Sequence, residues 1–120
     1  MNNLNLIELS KLFAIKIIAI CKLIREEREE RVLVNQLLRS GTSIGANIHE
    51  GNYASSRMDF INKFQIALKE CYETEYWLEL LYESDYINKT EFDSIYRDCQ
   101  ELMKILVSST KTLQGKNSKE

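Results

Sequence analysis

The chain of 120 residues has no proline and only four glycines. An all-β protein needs many Gly- and Pro-rich turns, so that class is excluded. His49 is the only histidine. A zinc site or a catalytic triad would have to be built on it, and no ligand pair or nucleophile motif lies beside it. The Glu-x-x-His pairs of a di-iron bundle are missing, as are a Walker loop and GxGxxG. Strong charge of one sign is also lacking: the net charge is −2, which is not the basic body of a strong nonspecific nucleic-acid binder. The first thirty residues carry no signal-peptide pattern, and Lys16 and Lys22 interrupt the most apolar run, Leu12 to Ile24, so it reads as a buried helix and not a membrane span. Cys21, Cys71 and Cys99 form no CxxC and read as reduced, buried thiols of a cytoplasmic protein.

What is present is apolar residues at 44%, enough for a core, spaced at helical period. The length fits one domain. Four helices are predicted, over about 4–25, 30–51, 57–84 and 91–113, with a fraying polar tail at 114–120. Short links make neighbours antiparallel, so the expected fold is an all-α, up-down-up-down four-helix bundle. In the first helix Leu6, Leu9, Phe13, Ile17, Ile20 and Ile24 share a face, since successive residues turn about 100°. Ile15 and Ile18 stand in the opposite, charged stripe, either covered by lysine stems or forming a subunit contact. The break within the charged stretch Glu26–Glu30 has no Gly or Pro to mark it.

Leu33, Leu37, Gly41, Ile44 and Ile48 make the inward stripe of the second helix. Gly41, Gly45 and Ala46 suggest that another backbone comes close there. Ser56 with Asp59 resembles a capping box for the third helix, and Thr90 with Asp93 repeats that signal for the fourth. The third helix has two apolar faces. Phe60, Phe64, Ala67, Leu68, Cys71, Leu78 and Tyr82 form one; Ile66, Trp77 and Leu80 lie on the other. The fourth is one-sided, with Phe92, Ile95, Cys99, Leu102, Met103, Leu106 and Leu113 inward. Helices this long make a slender bundle with a thin core, and burying the second faces of helices one and three in a homo-oligomer would thicken it. Ile15, Ile18, Ile66 and Trp77 are the expected contact residues.

Opposite the apolar stripe of helix two runs a polar one: Gln36, Arg39, Ser43, Asn47 and Glu50. It is either a solvated face or a partly buried seam, with Glu75 as the candidate partner for Arg39, because Glu75 falls inside an apolar stripe. Glu70 and Glu73 read as solvated acids. Charge is uneven along the chain, +3 over residues 1–25, −6 over 57–101 and +3 over 102–120. The bundle would gather Lys11, Arg57, Lys63, Lys111 and Lys116 at one end, where they either contact phosphates or are simply solvated. Glu26, Glu27, Glu29, Glu30, Glu79, Glu83 and Asp85 gather at the other.

The run Gln36-Leu-Leu-Arg-Ser-Gly-Thr-Ser-Ile-Gly-Ala-Asn-Ile-His-Glu-Gly51 resembles the signature of four-helix-bundle proteins encoded in intervening sequences of bacterial 23S ribosomal RNA genes. Ser56, Asp59-Phe60-Ile61, Lys63, Ile66 to Glu70, Glu73-Thr74 and Tyr76-Trp77-Leu78 extend the resemblance, which covers about residues 5–113. It implies a bundle that assembles into a ring, usually a pentamer, with no enzyme activity and no cofactor. It also implies association with ribosomal RNA or another nucleic acid–protein machine, and it marks Arg39, Ser43, Asn47 and Glu50 as the signature site. Relatives include the accessory bundle protein of diversity-generating retroelements. The relatives that bind nucleic acid are basic whereas this chain is acidic, so the alternative is a ring-shaped scaffold that presents an acidic face to a protein partner.

Overall fold

The computed structural model describes the backbone of residues 3–119 and the side chains of residues 6–112. Four α-helices account for nearly all of it: α1 (Asn3–Arg28), α2 (Val32–Asn52), α3 (Arg57–Glu83) and α4 (Lys89–Lys119). No strand occurs among the described residues. Two boundaries differ most from the sequence expectation. α1 runs on to Arg28, and α4 continues to Lys119 instead of ending near Leu113. Met1, Asn2 and Glu120 lie outside the described residues.

Local chemistry sets the helix ends. After α1 the chain reverses at Glu29, which takes φ 57° in the left-handed region without being glycine. The Glu30 carboxylate then accepts from the amides of Leu33 (2.8 Å) and Val34 (3.1 Å), groups with no partner inside α2. Ser56 caps α3 as expected, its Oγ accepting from Asp59 N at 3.1 Å. α3 ends in a Schellman motif. Tyr86 N donates to Leu81 O and Asp85 N to Tyr82 O, with Asp85 at φ 65°.

The cap expected at Thr90 is instead at Asn88. Asn88 Oδ1 accepts from Glu91 N (2.8 Å), while Glu91 Oε1 accepts from Asn88 N (3.1 Å). This reciprocal pair satisfies two amides at once and leaves Thr90 inside the helix.

Each helix packs on its neighbours in the chain, and α4 also packs on α1. Partners run in opposite chain sense. Across α1 and α2, Ile17 meets Gly41 and Ser10 meets Gly45; across α2 and α3, Ser40 meets Thr74 and Gly51 meets Phe64. Across α3 and α4, Cys71 meets Cys99 and Tyr82 stacks on Phe92. The links after α1 and α3 share an end, where Arg28 donates to Asp85 O (2.6 Å) and lies over the Tyr86 ring. The result is a rod of 53 × 22 × 21 Å.

The core is continuous from Leu6 to Leu106. Its stripes deviate from the expected ones at several positions. Val34, Ile61, Leu81 and Ile105 are buried outside the expected stripes, and Leu9, expected inward, is 40% exposed. The side chain of Leu113 lies outside the described residues. Gly45 meets the backbone of Ser10 as the small-residue pattern suggests, but Gly41 meets a side chain, Ile17, and Ala46 is exposed. All three cysteines are buried and free. Burial pushes the Cys21 thiol up to about 12. The Cys99 thiol, hydrogen-bonded to Cys71 and buried, is raised as well. Among the described residues no helix is long and apolar enough to cross a membrane.

Candidate functional site

The polar stripe of α2 faces the seam with α3. Arg39 extends its guanidinium across that seam to two carboxylates one helical turn apart, reaching Glu70 at 3.4 Å and Glu73 by a hydrogen bond from Nη2. Trp77 Nε1 donates to the same Glu73 carboxylate at 3.3 Å. The Arg39 guanidinium and the indole hold the Glu73 carboxyl below the usual carboxylate range, and Glu73 in turn raises Arg39. Beneath this clamp lies a buried contact, Thr74 Oγ1 to Ser40 Oγ at 2.9 Å, with each hydroxyl also bonded to a carbonyl of its own helix. At the far end of the stripe Glu50 pairs with Lys63 at 3.3 Å.

The expected Arg39–Glu75 pair does not form. Glu75 lies about 200° around α3 from Glu73, so it points to α4 when Glu73 points to α2. There burial raises its pKa, with Gln100 as hydrogen-bond partner and Glu79 as a like-charged neighbour. Glu70 and Glu73, expected to be solvated, are the true partners. Their signal was the three-residue spacing, which presents both to one guanidinium. Ser43 and Asn47 bond backward within α2, Ser43 Oγ to Arg39 O (2.7 Å) and Asn47 Nδ2 to Ser43 O (2.9 Å), and Gln36 is exposed. The stripe is therefore a seam at Arg39 and Glu50 and a half-solvated face between them.

Ile15 (54%), Ile18 (49%) and Ile66 (42%) are exposed, so lysine stems do not cover the two α1 residues. Lys11 and Lys22, both exposed, flank them. Trp77 is half-buried, packed against the core edge and tied to Glu73. Of the basic residues expected at one end, Lys11 and Lys111 are exposed and Lys63 is engaged by Glu50. Arg57 is exposed and has a partner of its own. The Lys116 side chain lies outside the described residues. Exposed His49 stands 5.3 Å from the Tyr53 ring, and no metal-holding group of three His, Cys, Asp or Glu occurs among the described residues.

Residues 2–108 match the family model described as 23S rRNA-intervening sequence protein. The chain is also similar to a crystal structure of a protein of unknown function from the S23 ribosomal protein family of Bacteroides thetaiotaomicron. Identity is 50%, with 88% of this chain and 98% of that chain covered and a TM-score of 0.87. None of the curated proteins matches. The chain belongs to the 23S rRNA-intervening sequence protein family.

Proposed function

We propose that this member of the 23S rRNA-intervening sequence protein family is a non-catalytic, cytoplasmic, up-down-up-down four-helix bundle that works as a homo-oligomer, a ring of five copies, in association with RNA or the ribosome. The opposed chain sense of every helix contact supports the topology. The observation that carries self-association is the exposure of Ile15, Ile18 and Ile66 on two different helices. Fully burying a side chain of this size contributes about 1.5–3 kcal/mol, so three half-exposed ones form a substantial reserve. Lys11 and Lys22 flank the α1 pair, and Lys69, Glu70 and the Arg39-bound Glu73 flank the α3 face that carries Ile66 and Trp77. Two different faces of one chain meeting head to tail generate a closed ring when the rotation permits. Light scattering tests this reading: an assembly at micromolar concentration is expected, and a monomer overturns it.

In the RNA-associated form, Lys11, Arg57, Lys63, Lys111 and Lys116 contact phosphates. The second reading is a protein-binding scaffold without direct nucleic-acid contact. It is favoured by the net charge of −2 and by the engagement of Lys63 with Glu50. Titration with ribosomal RNA at several salt concentrations separates the two. Phosphate contact makes log affinity fall linearly with log salt; absence of binding at low salt leaves the scaffold.

A further inference from the structure

The seam between α1 and α4 is the least closely packed of the four. Three cavities follow one another along it, of about 370, 420 and 380 Å³. Leu9, Leu12 and Leu102 wall the first, and Ile20, Leu23 and Ile95 the second. Leu12 is 59% exposed, which a groove wall left without an occupant would show. Lys16 crosses the groove between the first two cavities, donating to Ser94 Oγ at 3.0 Å and pairing with Asp98. From Leu9 to Leu23 the groove is roughly 21 Å long at 1.5 Å per residue, about four turns of helix.

The rim is charged on one side. Glu91, Asp98 and Glu101 line the α4 edge; the one lysine among the lining residues of these two cavities, Lys16, pairs with Asp98, which leaves Glu91 and Glu101 as the excess negative charge. An apolar floor with an acidic rim complements a helix that carries apolar residues at i, i+3 or i+4 and i+7 with lysines or arginines beside them. The exposed α3 face of a second copy does not fit this description, because between Ile66 and Trp77 it offers one basic residue, Lys69, beside Glu70 and Glu73, which Arg39 holds. We propose that the α1–α4 groove is a docking slot for a basic amphipathic helix of another protein. The slot borders the self-association face at Ile15, which lines its first cavity, while Ile18 lines none of the three.

The probe is a fluorescein-labelled Leu/Lys amphipathic peptide of about four helical turns, titrated by anisotropy against the full chain, with a Leu/Glu peptide of the same spacing as counterpart. The Leu/Lys peptide is expected to bind at least about tenfold more tightly, and Leu12→Asp and Glu101→Lys each to weaken it about tenfold, through loss of apolar contact and reversal of a rim charge. Both positions are exposed, and circular dichroism confirms that the variants are folded. Glu83→Lys, an acid outside the groove, is expected to change binding less than about twofold, which separates docking from general attraction to an acidic protein. Ile18→Asp is expected to leave peptide binding intact whether or not it dissolves the oligomer, so failure of the ring and failure of the slot are read apart. No binding, equal weakening by Glu83→Lys, or indifference to Leu12→Asp and Glu101→Lys overturns the proposal. So does a groove already filled by a second copy, seen as Leu12→Asp dissociating the assembly.

Discussion

Gly41 and Gly45 lie one helical turn apart on α2 and should respond oppositely to the same substitution. A Cβ added at Gly41 would stand 2.9 Å from both γ-carbons of Ile17, which is fully buried and has no room to withdraw. Gly41→Ala is expected to destabilise the fold by about 1–2 kcal/mol, overpacking outweighing the helix-propensity gain of roughly 1 kcal/mol. Ile17→Ala, which removes both γ-carbons, should cost less in that background than in the parent, because the two changes share one contact. At Gly45 the nearest atoms are 3.4 Å away, an ordinary contact, so Gly45→Ala should stabilise by about 0.5–1 kcal/mol. Urea denaturation of these variants measures all of this. Glu75 provides a second residue-level test. Burial raises its pKa, so the folded state holds the proton to higher pH than the unfolded chain does. Stability contributed by the neutral carboxyl is present at low pH and lost as pH rises through the folded pKa. Glu75→Gln should therefore be more stable than the parent at pH 7, with the advantage shrinking toward the ordinary carboxyl value of 4.5. An equal advantage at both pH values would show that the effect is not one of ionisation. The sequence could place Glu75 within an apolar stripe, but not decide which neighbour that stripe faces. That depended on the rotation of α3, which one residue of phase error changes by about 100°.

At the scale of the element, most of the helices were legible because the stripes at Leu37, Ile44 and Ile48 and at Ile95, Cys99, Leu102 and Leu106 recur at helical period and are buried as such. Ends were legible only where a side chain marks them. Ser56 with Asp59 could be read directly. Asn88 with Glu91 and Thr90 with Asp93 overlap in sequence, and both satisfy the cap pattern. The first pair prevails because the Glu91 carboxylate reaches back to the Asn88 amide. Asn88→Ala should cost about 1 kcal/mol in thermal or urea denaturation, while Thr90→Ala should change stability by less than about 0.5 kcal/mol. The reversal at Glu29 was not legible: an exposed glutamate at φ 57° has no sequence signature, since glycine or asparagine is the residue that ordinarily marks such a position. Arg39 bound to Glu70 and Glu73 was legible only in half, because the arginine stood out in its stripe whereas acids at i and i+3 are commonplace on solvated helices.

Across the whole molecule, two kinds of exposed apolar surface coexist, and they are distinguishable by what surrounds them. Lys11 and Lys22 flank the Ile18 side of α1, Lys69 and Glu70 the Ile66 face of α3, and the acids of α4 the groove between α1 and α4. Self-association is proposed for the first two because they carry the exposed isoleucines Ile15, Ile18 and Ile66. Ile18 is 49% exposed, so Ile18→Asp leaves the interior intact and should change the stability of an isolated subunit by less than about 0.5 kcal/mol. In the assembly the same carboxylate would be desolvated against Ile66 and the glutamates of the next copy, a cost of several kcal/mol at every interface of a ring. Light scattering at micromolar concentration should accordingly show an assembly for the parent and a monomer for Ile18→Asp. Circular dichroism should show the same helix content for both. Because assembly stabilises the folded state by mass action, the parent's melting temperature should rise with protein concentration and that of the variant should not. An Ile18→Asp protein that still assembles would move the interface off this face.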